Sequence, residues 1–379
     1  MAEQPFGSIG EHFSNIEDPR IERKKLHTLL NIIVIAICGV ICGAENWVDI
    51  EMFGNKKIEW LKRYLELPNG IPSHDTLGRV FRRLKPETFQ TCFLSWVKAI
   101  QEITQGQVIA IDGKELRHSM DQTLGKRAIH MVSAWANDNR FVLAQQKVDE
   151  KSNEITAIPA LLEMLEIAGC IVTIDAMGCQ TEIAQKIIDQ NGDYVLAVKE
   201  NQGHLYEDIE HWCQLYLRHE QPMFYFDDYA KTVDKGHDRI EIRECWTLPA
   251  SFYKPSVRGL DHWAGVKTLI MIRRERRLAE KTQVFTRYYI SSLEGKAHRF
   301  LQVIRDHWGI ENSVHWVLDM VFNEDQSRLH KDNGPENLAV IRHIALNLIR
   351  SEKSAKGGIM NKRLQAAWDE NYLAKILAF

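Results

Sequence analysis

Three acidic residues stand where the chain could gather them into one site. Asp112 follows the apolar run Gln107–Ile111, Asp175 follows Cys170–Ile174, and Glu311 lies in the aromatic-rich stretch Arg305-Asp306-His307-Trp308-Gly309-Ile310-Glu311-Asn312. Ligands of α/β sheets gather at the carboxyl ends of strands, where an aspartate is exposed while its strand stays buried. Oxygen-only ligands suit magnesium or manganese. Two such ions about 3.5 to 4 Å apart activate a nucleophile and stabilise the leaving oxygen in phosphodiester chemistry. For each aspartate alone, the alternative is an ordinary turn residue after a strand. For Glu311 it is a surface carboxylate bridging to His307 or His315 at helical spacing. Against that, a helix from Lys296 to Phe322 surrounds Glu311 with Phe300, Leu301, Ile304, Trp308, Val314, Leu318 and Val321, where an unpaired carboxylate is costly. No zinc-type His/Cys spacing, Gly-rich phosphate loop, nucleophile elbow or dinucleotide fingerprint offers a competing chemistry.

Hydrophobic residues at 45% and charged residues at 26% of 379 are globular values, and the length exceeds that of one typical domain. The formal net charge of −3 is unevenly spread: residues 1–100 carry +1, residues 101–263 carry −10 and residues 264–379 carry +6. An acidic middle suits metal ions and basic flanks suit phosphates, the alternative being ordinary solvated faces. Seven cysteines without a Cys-x-x-Cys pair point to reduced thiols in a cytoplasm. The apolar run Leu29–Ala44 is too short to span a membrane and reads as a buried helix. The mixed-charge segment ahead of it does not suit a signal peptide.

Helical periodicity fills Phe13–Lys98, with helices expected over Leu26–Val40, Asn46–Leu65, Ser73–Arg83 and Pro86–Ile100. Arg79, Arg82 and Arg83 cluster on the third and could dock a DNA backbone, or form a solvated face. From Gly106 the pattern changes to strands Gln107–Ile111, His130–Ala136 and Phe141–Val148. A helix (Glu154–Ala168), strand Cys170–Ile174, helix Thr181–Asp189 and strand Tyr194–Val198 follow. With a helix at Glu311 closing it, βββαβαβ is the order of a ribonuclease-H-like fold. The expected class is therefore α/β, a mixed sheet flanked by helices. An all-α domain (1–104) precedes the core (105–350), and a helical tail (351–379) follows it. A β-rich insertion, about 201–286, carries strands Ile240–Trp246, Lys267–Arg273 and Gln283–Ile290.

Four motifs in this order, Ile111-Asp112-Gly113-Lys114-Glu115-Leu116-Arg117-His118-Ser119, Thr173-Ile174-Asp175-Ala176-Met177, Lys199-Glu200-Asn201-Gln202 and His307-Trp308-Gly309-Ile310-Glu311-Asn312, resemble bacterial insertion-sequence DDE transposases of the H-repeat-associated type. The resemblance spans nearly the whole chain. It implies that Asp112, Asp175 and Glu311 are the catalytic, metal-binding triad for two magnesium or manganese ions. It also implies that Arg117, Lys199 and Asn201 are candidates for DNA contact. The Tyr, Arg and Lys that many such enzymes place around the Glu fall here on Ile304, His307 and Leu318. His315, Trp316 and Asp319 recur on the same helix instead, with His315 a candidate to support the triad and Asp319, two turns from Glu311, a candidate either to support it or to compete as a metal ligand. The implied activity is cleavage at transposon ends and strand transfer into target DNA, by a homodimer on double-stranded DNA in the cytoplasm and without membrane attachment. Arg273, Arg274, Arg276 and Arg277 are further candidates for the DNA backbone, or else a solvated loop. A nuclease that only hydrolyses and a catalytically silent DNA-binding relic are the rival readings.

Overall fold

The computed structural model describes residues 7–22, 25–100, 105–120, 128–149, 153–218, 227–236, 239–278 and 281–378. The N-terminal part holds α1 (Gly7–Phe13), α2 (Leu29–Ile41), α3 (Trp47–Lys56), α4 (Ile58–Leu61), α5 (His74–Arg83) and α6 (Pro86–Ile100). Local chemistry sets their starts. Thr28, Asn46 and Ser73 cap α2, α3 and α5 by accepting from backbone N–H groups in the first turn. Pro86 opens α6, where its missing N–H leaves nothing unpaired. The expected helix Asn46–Leu65 is divided at Lys57, which ends α3. α2 is buried along almost its whole length, and no described helix is long and apolar enough to cross a membrane. Residues 101–104, beside the expected domain boundary, lie outside the described residues.

Among the described residues nine strands make one mixed sheet: β1 (Val108–Leu116), β2 (Ile129–Ala136), β3 (Phe141–Lys147), β4 (Ile171–Ile174), β5 (Asp193–Val198), β6 (Asp228–Gly236), β7 (Arg239–Pro249), β8 (Thr268–Arg277) and β9 (Thr282–Ser291). Their order is β3-β2-β1-β4-β5-β9-β8-β7-β6. Only the pairs β1/β4 and β4/β5 are parallel. α7 (Glu154–Met164) precedes β4, and α8 (Thr181–Asp189) links the parallel pair β4 and β5. β9 joins β5 antiparallel, so the strands of the 201–286 region continue the same sheet outward. That region also contains α9 (Gly203–Arg218), α10 (Ala250–Tyr253) and β6, none of them anticipated from the sequence. β1 differs from its expected form as well. It does not stop before Asp112 but runs on to Leu116, because β2 pairs with it through that whole length.

The helix expected over Lys296–Phe322 is broken in the middle. α11 (Ala297–His307) is followed by a π-helical turn over Glu311–His315 and then by α12 (Trp316–Met320). α13 (Gly334–Ser351) is buried over nearly all its residues and touches α2, α5, α6 and β3, so it joins the helical part to the sheet. α14 (Ile359–Trp368) and α15 (Glu370–Leu377) form the helical tail. Polar side chains fix α13 at both ends. Asn337 donates to the Phe81 and Leu84 carbonyls at 2.7 and 3.0 Å. Asn347 donates to the Val142 carbonyl at 2.9 Å and accepts from the Val142 N–H at 3.0 Å, acting as a short extra rung on edge strand β3. Asn347→Leu strips a buried donor and acceptor of their partners, so it is expected to lower stability by about 2 kcal/mol, read as a lower midpoint in urea unfolding.

Candidate active site

The last parallel partners of β1 and β4 are Ile111 and Ile174, so the next residues, Asp112 and Asp175, sit side by side where the two strands part. Alternation along a strand decides which way they point. Val108 and Ile171, on that same face, share a buried cluster with Phe300, Leu301 and Ile304 of α11. Thr173 is joined to His307 at the end of α11 by a hydrogen bond of 3.0 Å. Both aspartates thus lie on the face covered by the helix that leads to Glu311. All three carboxylates line one cleft of about 690 Å³, together with Lys199, Asn201, Arg287, His307 and Trp308. Glu311 is itself exposed at the cleft, not enclosed by its apolar helix neighbours as the sequence suggested. The π-helical turn that begins at Glu311 is a feature common at functional sites.

Burial first, and then the neighbouring Asp175 carboxylate, push Asp112 up to about 7, with Glu154 and Glu311 adding to the repulsion. His315 places Nδ1 3.5 Å from Asp112 Oδ2. Burial holds that imidazole down at about 4, so it is neutral near pH 7 and supplies no counter-charge. Among the described residues no three His, Cys, Asp or Glu side chains stand close enough to form a ready-made ion cage. The donor set still fits a hard divalent ion in kind. It is all oxygen, it opens on one cleft, and its mutual repulsion is what a bound cation would relieve.

The surrounding residues fix this arrangement. Lys114 points from the same face of β1 as Asp112 and is ion-paired with Asp319 of α12 and, at 2.6 Å, with the buried Glu324. Burial opposes ionisation of Glu324, yet Lys114 and Arg342 hold it down at about 2. Asp319 therefore serves as a partner of Lys114. Two glycines allow close approach. A Cβ on Gly113 would lie 2.0 Å from Glu154 Oε1, and that carboxylate is itself bonded to His130 Nε2 at 2.5 Å. A Cβ on Gly309 would meet Asn137 Oδ1 at 2.5 Å, so any larger residue ahead of Glu311 has to displace the Asn137 side chain from this contact with the β2–β3 turn.

Of the other sequence candidates, Asn201 and Lys199 share the cleft and the remaining arginines do not line it. Asn201 donates to the Ala176 carbonyl at 2.7 Å, which shapes the loop after Asp175, while Lys199 is exposed on the cleft. Arg117 is mostly exposed and 3.4 Å from Asp325. Arg79 and Arg82 bond to carbonyls of their own helix, Asp75 and Gly78, and neither they nor Arg83 line the cleft. Arg273 and Arg274 belong to β8, not to a loop. They pair with Glu244 at 3.5 Å and Glu241 at 2.5 Å. Residues that sequence reasoning did not single out are Lys114, Thr173, Glu154, Arg287 and Glu324. The expected strand ended at Ile111, so the place of Lys114 on the same face as Asp112 emerges only from the pairing of β1 with β2.

Two outcomes follow from this geometry. Lys114→Met leaves Glu324 buried without its lysine and should cost about 3 to 5 kcal/mol, measured by denaturant unfolding. Folded Asp112 holds its proton more tightly than the unfolded chain, whose carboxyl titrates near 3.8. Its contribution to stability is thus fully present below pH 4 and lost as pH rises through about 7. With a chelator present, Asp112→Asn should melt above the parent at pH 8, and the difference should close toward pH 4. A parent at least as stable at pH 8 contradicts the assignment.

A family model described as "Transposase DDE domain" matches residues 103–348, and one described as "DDE_Tnp_1-associated" matches residues 10–97. The chain is 42% identical over 372 residues to the H repeat-associated putative transposase YhhI of Escherichia coli (strain K12), covering 97% of each chain. It is 41% identical over 379 residues to the putative transposase YncI of Escherichia coli O157:H7, covering 98% of this chain and 94% of that protein. A shorter relative from strain K12, named inactive transposase YbfQ, is 49% identical over 70 residues, 18% of this chain and 83% of its own. Matched over more than half its length by the transposase domain and over nearly all of it by the first two of these relatives, the chain belongs to the DDE transposase family.

Proposed function

We propose that the protein is an active DNA transposase that cuts transposon ends and joins the released 3′ hydroxyl to target DNA. The observation that carries this is the place of Asp112 and Asp175, each one residue past the last parallel pair Ile111 and Ile174, with Glu311 on the same cleft. The order β3-β2-β1-β4-β5 supports a ribonuclease-H-like core over residues 105–350. The helical domain 1–104 precedes it, the insertion of 201–286 extends its sheet, and the tail 351–379 follows. Asp112, Asp175 and Glu311 would hold two magnesium or manganese ions. Such ions supply activation of the attacking oxygen and stabilisation of the leaving one.

The chain's own groups orient the substrate. Arg287, stacked over Trp308 at 4.8 Å, and Lys199 place positive charge on the cleft wall for phosphate oxygens. Asn201 holds the loop after Asp175, and Thr173 fixes the His307 ring beneath it. Membership of a transposase family implies a DNA substrate. Pairing of two ends further suggests a dimer on DNA, acting at the nucleoid of a cytoplasm. Relatives named putative or inactive make a silent relic the alternative; the three acidic residues retained on one cleft favour the active enzyme.

Asp112→Asn and Asp175→Asn are each expected to abolish manganese-dependent cleavage of an inverted-repeat end, with circular dichroism unchanged. Cleavage retained by both variants would remove the site from the reaction. A pre-cut end offered with supercoiled target separates joining from hydrolysis: covalent target joints support the transposase, and their absence alongside cutting leaves only a nuclease.

A further inference from the structure

Arg350, near the end of α13, is a buried cation whose bonds go to main-chain carbonyls. Its guanidinium lies 4.5 Å over the Trp135 ring. One nitrogen donates to the Arg140 carbonyl at 3.3 Å, in the turn between β2 and β3. The other donates to the carbonyl of Ser313, inside the π-helical turn that starts at Glu311. Among the described residues no carboxylate is paired with it. Burial pushes it down to about 9, and no nearby acid offsets this. Sequestering an arginine this way is unfavourable unless its donors satisfy groups that would otherwise be orphaned. The π-helical turn supplies such groups, because a return from i→i+5 to i→i+4 bonding leaves junction carbonyls short of donors.

The turn matters because each side of it is anchored independently. Upstream, α11 is held by its apolar cluster and by His307 on Thr173. Downstream, Asp319 is held by Lys114. Losing the extra residue of the turn would rotate one side against the other by about 100°, which both anchors resist. We infer that Arg350 is a positioning residue: by holding the Ser313 carbonyl and the β2–β3 turn together, it fixes the π-helical register that aims Glu311 into the cleft. The catalytic consequence rests on the function proposed above, whereas the structural role does not.

The test uses the full chain carrying Arg350→Met, which keeps the stem without the donors, and Arg350→Lys, which keeps one charged nitrogen. Hydrogen exchange at residues 311–317 should quicken about tenfold in Arg350→Met and less in Arg350→Lys, with β1 and β4 unchanged. Unaltered exchange in that turn overturns the inference. Manganese titration is the second readout. Arg350→Met should weaken uptake about tenfold, adding Glu311→Gln should cost little more, and adding Asp112→Asn should remove what is left. Full additivity of Arg350→Met with Glu311→Gln also overturns it. If Arg350→Met does not fold, the same comparisons are read on Arg350→Lys. A parent that binds no manganese defeats the metal reading instead, and the exchange result then decides the role of Arg350.

Discussion

The ammonium of Lys114, tucked between β1 and the segment that follows Glu311, is the contact on which the site depends. It lies two residues beyond Asp112 and is ion-paired with Asp319 and Glu324, so one side chain ties β1 to the segment that follows the third carboxylate. Charges held this deep tolerate few arrangements, because a displaced partner leaves an uncompensated ion in a poorly polarisable interior. Arg342 shares Glu324 at 3.4 Å and brings α13 into the same network. The network therefore sets the position of α12 relative to β1, and with it the span over which the π-helical turn must fit.

Tension at Asp112 is the counterpart of that order. Nearby groups stabilise its protonated form, while the positive charge of Lys114 is taken up by Asp319 and Glu324. A fold selected for stability alone would neutralise such a carboxylate. Perturbed acids of this kind cluster at functional sites because the missing counter-charge is supplied by what binds there. Gly113 and Gly309 contribute through absence: each lets a polar side chain occupy the place of a β-carbon, and so brings Glu154 against β1 and the β2–β3 turn against the helix.

Charge on the outer sheet behaves differently. Arg243, Arg273, Arg274 and Arg277 of β7 and β8 face Glu241, Glu244 and Glu275 across or along the strands. Much of the basic excess in this part of the chain is thus spent within the sheet. The cations facing the cleft, Lys199 and Arg287, are few by comparison.

Local chemistry made much of this legible from sequence. Ser73 before an amphipathic run, Pro86 at a helix start, and apolar pentads ending in Asp112 and Asp175 are signals carried by neighbouring residues, and the elements they announced are present within a few residues. Pairing was not legible. The continuation of β1 past Asp112 depends on β2, and the joining of β9 to β5 depends on strands far apart in the chain. Neither the π-helical turn at Glu311 nor the partners of Lys114 and Arg350 leave a mark in spacing, because they arise where separately anchored elements must be reconciled. Residue types and their order along the chain name the groups able to do the chemistry; how those groups face one another emerges on folding, since buried ion pairs and strand register are set by contacts between distant segments.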